Sequence, residues 1–280
     1  MLLISSINIY PVKSLKGIGL SRAPLTARGL VFDREFMVTN RFGHFLTQRE
    51  LPQMSTITTA LVGLKDDKIE TADALVLTAQ SGQSITLDLN KSEESNEPSY
   101  EVKVWNSVCQ AVSAGQEASD FLSSTLGKEV MLMRMKKDFK RPVSDGHPGV
   151  VGFADGYPML AISDASLADL NSRLEYPIEM NRFRPNITIS GAAPFEEDEI
   201  EFAQVGQVKF NFAKPCSRCE ITTVDQDSGI RGKEPLRTLA NYRKFAGKVN
   251  FGQNLLHDGT GELTVGQELK VLKRRVLEKQ

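Results

Sequence analysis

The feature that most restricts this chain is the density of its punctuation. Short β-branched or alternating runs, each closed by Gly, Asn or Asp, recur through the first hundred residues and leave little room for a helical period. Such runs cover residues 2–12, 35–39, 55–62, 74–79 and 84–89, and an alternation at 101–105 ends at the only tryptophan, Trp105. Residues 90–99 are polar and aperiodic, which predicts an exposed loop between two strands. Helical spacing first takes hold at 116–126, where Ala118, Phe121, Leu122 and Leu126 share a face and Gly127 supplies a stop. A second helix is capped by Ser163, lined by Leu167, Leu170 and Leu174, and ended ahead of Pro177. A third opens at Pro235 and continues through Leu236, Leu239, Tyr242 and Phe245. Residues 186–190, 207–212, 221–224 and 268–272 read as further strands. The pattern predicts an α+β chain that is mainly β: two β-rich lobes with a few helices, residues 1–125 and 126–280, divided at the first helix.

At 280 residues each lobe can bury a core without staples, so the three cysteines, Cys109, Cys216 and Cys219, are not needed as a disulfide framework and fit a reducing compartment. Lys plus Arg number 34 against 35 Asp plus Glu, and this balance gives no global field to hold a nucleic acid. No apolar run is long enough to span a bilayer, and Met1 to Ser6 has no basic stretch ahead of its apolar residues. A cytoplasmic protein without nucleic-acid or membrane partners is expected.

Three clusters carry chemistry. In Lys214-Pro215-Cys216-Ser217-Arg218-Cys219-Glu220 two thiols stand two residues apart, a spacing that serves a metal, a reversible disulfide or simple packing at a turn. A closed zinc site needs four ligands, and the other candidates, Cys109, His44, His147 and His257, are scattered. A thioredoxin-like pair should open a helix, whereas Cys219 leads into β-branched Ile221-Thr222-Thr223-Val224. Arg218 beside Cys219 favours thiolate chemistry, and Pro215 stiffens the approach, a setting suited to a soft transition metal that takes one protein sulfur. The second cluster is cationic: Lys13 and Ser14 at the end of the first strand, Asp33-Arg34, and Arg182 and Arg184 within Asn181-Arg182-Phe183-Arg184-Pro185-Asn186 offer groups that grip phosphate. The third is the turn Gly152-Phe153-Ala154-Asp155-Gly156-Tyr157-Pro158, where Asp155 and Tyr157 could meet a ligand or only close the turn. His147 and His257 are acid-base candidates without an evident partner.

Tyr10-Pro11-Val12-Lys13-Ser14, Asp33-Arg34, Phe153 to Pro158, Ser163 to Leu174, Asn181 to Asn186 and Cys216 to Cys219 with its continuation to Gly229 keep an order that resembles the MOSC-domain proteins with an N-terminal MOSC β-barrel domain. Within them the chain is similar to the YcbX type and to the mitochondrial amidoxime-reducing component. The resemblance implies two β-barrel-like domains and the molybdenum cofactor, a molybdopterin holding Mo, with Cys219 as metal ligand and Cys216 its neighbour; pyridoxal phosphate is not expected. It implies Cys219 and Asp155 as catalytic residues, and Lys13, Ser14, Arg34, Tyr157, Arg182, Arg184, Ser217, Arg218 and Asn254 around the cofactor. The implied activity is reduction of N-hydroxylated compounds, such as hydroxylamino purines or amidoximes, by oxygen-atom transfer to molybdenum. Electrons would come from an external ferredoxin-type donor and a reductase; no clustered cysteines follow Val265-Gly266 in this sequence, so the ferredoxin portion would be either a separate protein or a domain cut from the chain. Two alternatives are a sulfur or cofactor carrier with a persulfide on Cys219 and a non-catalytic binding module.

Overall fold

The computed structural model describes residues 1–90 and 98–275; most of the predicted 90–99 loop and the end of the basic tail, 276–280, lie outside them. The chain is mainly β, with three α-helices among the described residues. The largest sheet runs in the order Lys270–Arg274, Ile200–Val205, Val208–Ser217, Lys248–Asp258, Met159–Ser163, Ile187–Ser190, Leu3–Ile9, Ile18–Leu20, with Lys244–Phe245 paired to Lys248–Asp258 at the side. Among the strands of the described residues, only Met159–Ser163 and Ile187–Ser190 pair in parallel. A second sheet holds Phe36–Thr39, Met131–Met135, Ser107–Ser113 and Tyr100–Val104, and two three-stranded sheets complete the fold. One joins Gly261–Thr264, Arg22–Thr26 and Gly29–Leu30; the other is the meander Thr58–Val62, Ala74–Thr78, Ser84–Asp88.

Hydrogen-bonded sheets therefore cross between the early and late parts of the chain. Leu3–Ile9 lies antiparallel to Ile187–Ser190, with Ile7 opposite Ile187, and buries Ile4, Ile7 and Ile9 in one core with Phe210, Phe212 and Leu255. Arg22–Thr26 pairs with Gly261–Thr264. Met131–Met135, just past residue 125, pairs with Phe36–Thr39 and Ser107–Ser113. A second core beneath these strands gathers Val12, Leu15, Phe36, Leu122 and Leu132.

These registers position the site. Because Leu3–Ile9 is antiparallel to Ile187–Ser190, and Met159–Ser163 is parallel to it, the segments 10–14, 181–186 and 152–158 all emerge at one end of the sheet. Asn186 pins them together. Its Nδ2 donates to the Asn8 carbonyl at 3.2 Å, while its Oδ1 accepts from the Leu160 amide at 3.2 Å and from Arg34 Nη1 at 3.1 Å.

Several elements match their predicted places. The first helix spans Gln116–Leu126, with Gly127 left-handed at φ 63°, and Ser163 caps the second through a bond accepted from the Ser166 amide. Others differ for local reasons. The predicted strand at 221–224 is a 3-10 turn, Glu220–Thr223, because the Thr222 and Thr223 hydroxyls donate to the carbonyls of Cys219 and Glu220, at 3.0 and 2.7 Å, and close the chain on itself. Residues 55 and 56 belong to the turn Pro52–Thr56 rather than to the following strand, with the Thr56 hydroxyl bonded to the Gln53 carbonyl. The second helix stops at Asn171, short of Leu174, and the third covers only Leu236–Ala240, since Lys244–Phe245 turns back as a strand. The strand expected at 207–212 continues to Ser217, and its partner, Lys248–Asp258, was not anticipated.

Replacing Asn186 by Ala should leave the far-UV dichroism unchanged but lower the free energy of urea unfolding by about 1–3 kcal/mol, the cost of stranding its buried partners.

Candidate functional site

One cleft, with an empty volume of about 840 Å³ including its open mouth, receives residues from every segment nominated from the sequence. Lys13, Ser14 and Arg34 come from the first part of the chain, Asp155 and Tyr157 from the glycine-rich turn, Arg182 and Arg184 from the stretch before Ile187, Ser217, Arg218 and Cys219 from the thiol loop, and Asn254 from the neighbouring strand. All eleven line the same space.

The cations are built in rather than draped over the surface. Lys13 is 6% exposed; its Nζ donates to the Phe153 carbonyl at 2.8 Å and to Asp155 Oδ1 at 2.6 Å. Burial pulls the Lys13 pKa down against the opposing pull of Asp155. Arg34 Nη1 grips both oxygens of buried Asp33, at 2.7 and 2.6 Å, and its Nη2 donates to the Arg184 carbonyl at 3.1 Å. Arg184 Nη1 donates to the Leu15 carbonyl at 2.7 Å. Both guanidiniums stand 4.2 Å from the Tyr10 ring, whose hydroxyl donates to the Pro185 carbonyl at 3.0 Å. Burial, then the charge of Arg34, lowers the Arg184 pKa to about 10, and burial raises Tyr10 to about 12. Gly17 makes room for this arrangement, since a Cβ there would lie 2.5 Å from a Tyr10 ring carbon.

Ser14, Arg34 and Arg184 all adopt left-handed backbone, with φ of 70°, 47° and 56°. Non-glycine residues avoid that region, so three such residues around one cleft mark a shape imposed by the surrounding structure. Among the described residues, buried Nη2 atoms of Arg184 and Arg218 have no hydrogen-bond partner. Two orphaned guanidinium donors beside a cleft call for an anionic or oxygen-rich ligand.

The turn below the cleft is held by Arg141, which sequence reasoning missed. It is 2% exposed and donates to the carbonyls of Gly152, Ala154 and Asp155. Gly152 is required there, since a Cβ would meet the Arg34 backbone carbonyl at 2.8 Å; at Gly156 a Cβ would displace the Ser144 hydroxyl, 2.3 Å away. Asp155 keeps 60% of its side chain open to the cleft, yet its pKa falls well below the carboxylate range, because Lys13 and a 3.0 Å bond from Trp105 Nε1 outweigh the upward push of burial. Tyr157 turns its hydroxyl away, donating to Asp145 at 2.8 Å, and presents its ring instead. Arg182 is tied to Asp225 at 2.8 Å, and Asn254 Nδ2 reaches the Pro215 carbonyl at 3.4 Å.

The guanidinium at the Cys219 sulfur is not that of Arg218. Arg218 points back to the carbonyls of Phe251 and Phe183, whereas Arg49 Nη2 donates to Cys219 Sγ at 3.3 Å. Adjacency in sequence placed the Arg218 side chain wrongly because the strand before Cys219 turns it under the loop. Cys216 packs among apolar residues, its thiol pushed up chiefly by burial, and both cysteines are free. Cys109 is buried in a separate core, and no three His, Cys, Asp or Glu side chains gather as a metal site among the described residues. His147 lies beside Tyr157 with ring centroids 5.8 Å apart, and His257 Nδ1 is 3.1 Å from the Gly259 carbonyl; neither lines the cleft.

Comparison with known proteins gives the family. Residues 1–129 match the MOSC N-terminal beta barrel domain and residues 148–270 the MOSC domain. The chain belongs to the MOSC-domain family. Mitochondrial amidoxime-reducing component 1 of Mus musculus is 32% identical to it, over 96% of this chain and 82% of that protein. Mitochondrial amidoxime reducing component 2 of Bos taurus is 34% identical over 86% and 72%. Molybdenum cofactor sulfurase of Oryza sativa subsp. japonica is 32% identical over 96% of this chain, which spans only 34% of that longer protein. No helix among the described residues of this MOSC protein is long and apolar enough to cross a membrane.

The depressed Asp155 pKa is one contribution to the acid limb of stability. Its contribution is present above the unfolded value near pH 4 and is lost as the pH falls through the lower folded value. Asp155→Asn should be less stable than the parent at pH 7, where Lys13 loses its counter-charge, and should lose less stability between about pH 4 and pH 2, read from thermal midpoints across that range.

Proposed function

We propose that this protein is a molybdenum-cofactor-dependent oxidoreductase that reduces N-hydroxylated compounds to the corresponding amines. One observation carries the reading: the Cys219 thiol, with Cys216 also in the lining, shares a cleft with Lys13, Arg34, Arg184 and Arg218, and two of those guanidiniums have unpartnered buried donors. A pterin dithiolene with a phosphate needs one protein sulfur for its metal and a rigid set of donors for its oxygens, and the residues present fit it. Bound there, the cofactor supplies two-electron oxygen-atom transfer, so that a hydroxylamine-type substrate takes up two electrons and two protons and leaves as amine and water.

The chain's own residues supply the rest. Cys219 provides the metal-directed sulfur, with Ser217 beside it. Lys13, Ser14 and Arg184 would hold the pterin and phosphate from two segments that the Leu3–Ile9 and Ile187–Ser190 pairing makes adjacent, and Arg34 from a third, bonded to Asn186 and the Arg184 carbonyl. Arg182, Arg218 and Asn254 border the same space. Asp155 stays ionised and open to the cleft, so it accepts an N–H or O–H of the substrate rather than donating a proton. The Tyr157 ring closes one side. Electrons enter from a ferredoxin-type donor, whether a separate protein or a domain of a longer chain, and its reductase.

The similarity to a molybdenum cofactor sulfurase favours a second reading, in which Cys219 carries a persulfide and retains no metal. Protein from a host competent in cofactor synthesis separates the two. The proposal expects molybdenum and pterin near one per chain and turnover of an amidoxime or hydroxylamino purine with a chemical reductant. Cyanide-releasable sulfur without molybdenum would favour the carrier. Cys219→Ala should lose molybdenum and at least about a hundredfold in turnover, while Cys216→Ala keeps both near the parent values. Undiminished reduction by Cys219→Ala would end the proposal.

A further inference from the structure

Four side chains outside the nominated set of thiol and phosphate-binding residues form a connected group joined to Cys219 and Asp155, two residues that line the cleft. Arg49 donates to Cys219 Sγ at 3.3 Å and lies with its guanidinium 4.6 Å from the Trp105 ring centre. Trp105 Nε1 donates to Asp155 Oδ1 at 3.0 Å, and the Phe45 ring meets the Trp105 ring edge-on at 5.1 Å. Arg231 holds the backbone from behind, donating to the Gln48 carbonyl at 3.0 Å and to that of Arg49, while its other nitrogen is 3.5 Å from Glu220. Trp105 sits at the tip of the hairpin Tyr100–Val104 and Ser107–Ser113 with φ 53°, a conformation that costs a bulky residue and that turns up where the surrounding structure requires a particular orientation.

We propose that Arg49, stacked on Trp105, is the positioning residue that aims the Cys219 sulfur into the cleft and retains the bound cofactor. This rests on the molybdenum reading above. The Cys219 side chain has one rotatable bond, and the Arg49 N–H selects its orientation toward the cleft. Arg49 is a long side chain whose own freedom is removed by the Trp105 face, and the Trp105 indole is fixed in turn by Asp155, the partner of Lys13. The hairpin at 100–113 thereby bears on a sulfur contributed by a distant loop.

The test uses holoprotein and follows the half-life of molybdenum retention during dilution and repeated filtration. Arg49→Met should shorten it roughly tenfold, the scale of one charge-assisted hydrogen bond, with Arg49→Lys between Met and the parent. Trp105→Leu should resemble Arg49→Met, whereas Trp105→Phe, which keeps a ring face, should lie nearer the parent. Parental retention in Arg49→Met overturns the inference and leaves the cofactor reading standing. Absence of molybdenum and pterin from the parent protein itself sinks the cofactor reading. The contact is then judged in the metal-free chain, where Arg49→Met and Cys219→Ala should shift the urea midpoint non-additively; additive shifts overturn it.

Discussion

Two guanidiniums, those of Arg34 and Arg184, share the Tyr10 ring at 4.2 Å each, and holding like charges so close inside a protein is the constraint around which the cleft is built. Left alone, such a pair would repel and seek water. Asp33 neutralises Arg34 through both carboxylate oxygens, the carbonyls of Leu15 and Arg184 accept from the remaining donors, and the electron-rich ring lies against both cations. What stays unmatched is the outer nitrogen of Arg184, together with that of Arg218. Among the described residues, two buried guanidinium donors beside the cleft are thus left without a protein acceptor, which suits an anionic or oxygen-rich group.

That arrangement is possible only because the sheets cross between the early and late parts of the chain. The end of Leu3–Ile9 and the start of Ile187–Ser190 are neighbours, so the loops that continue from them face each other with no freedom to separate. Asn186 then joins the backbone of Asn8, the backbone of Leu160 and the side chain of Arg34. The strained backbone at Ser14, Arg34 and Arg184 is the local cost of this placement, and the central sheet with its buried isoleucines and phenylalanines offsets it. The result is a preorganised socket whose shape does not wait for a ligand.

Much of this was legible in the sequence, for identifiable reasons. Gln116–Leu126 was readable because its apolar spacing and Gly127 agree, and the mainly β character because turn residues bracket β-branched runs. The nominated site residues were visible as short motifs kept in order, and every one of them lines the cleft. The failures are equally specific. Thr222 and Thr223 looked like strand residues, but their hydroxyls bond backward to carbonyls, a choice that propensity does not register. Lys248–Asp258 escaped notice because Asn250, Gly252, Gln253 and Asn254 interrupt its pattern; Asn254 lines the cleft, Gln253 bonds Asp198, and Gly252 lies close against Ala161 and Ile162. Arg49, Arg141 and Tyr10 were not nominated because their importance lies in what they touch across the fold, and spacing along the chain carries no trace of it.

The long span between Ser5 and its hydroxyl partner Thr188, 183 positions, also has a bearing on how the molecule is made. A ribosome releasing roughly 5–20 residues each second exposes the first strand some ten to forty seconds before its mate exists. Through that interval the opening segment is an open edge, with its isoleucines uncovered and dependent on nearby helpers or on transient partners. Any group held between these segments must then be delivered after residues as far apart as Lys13 and Asn254 have both been synthesised.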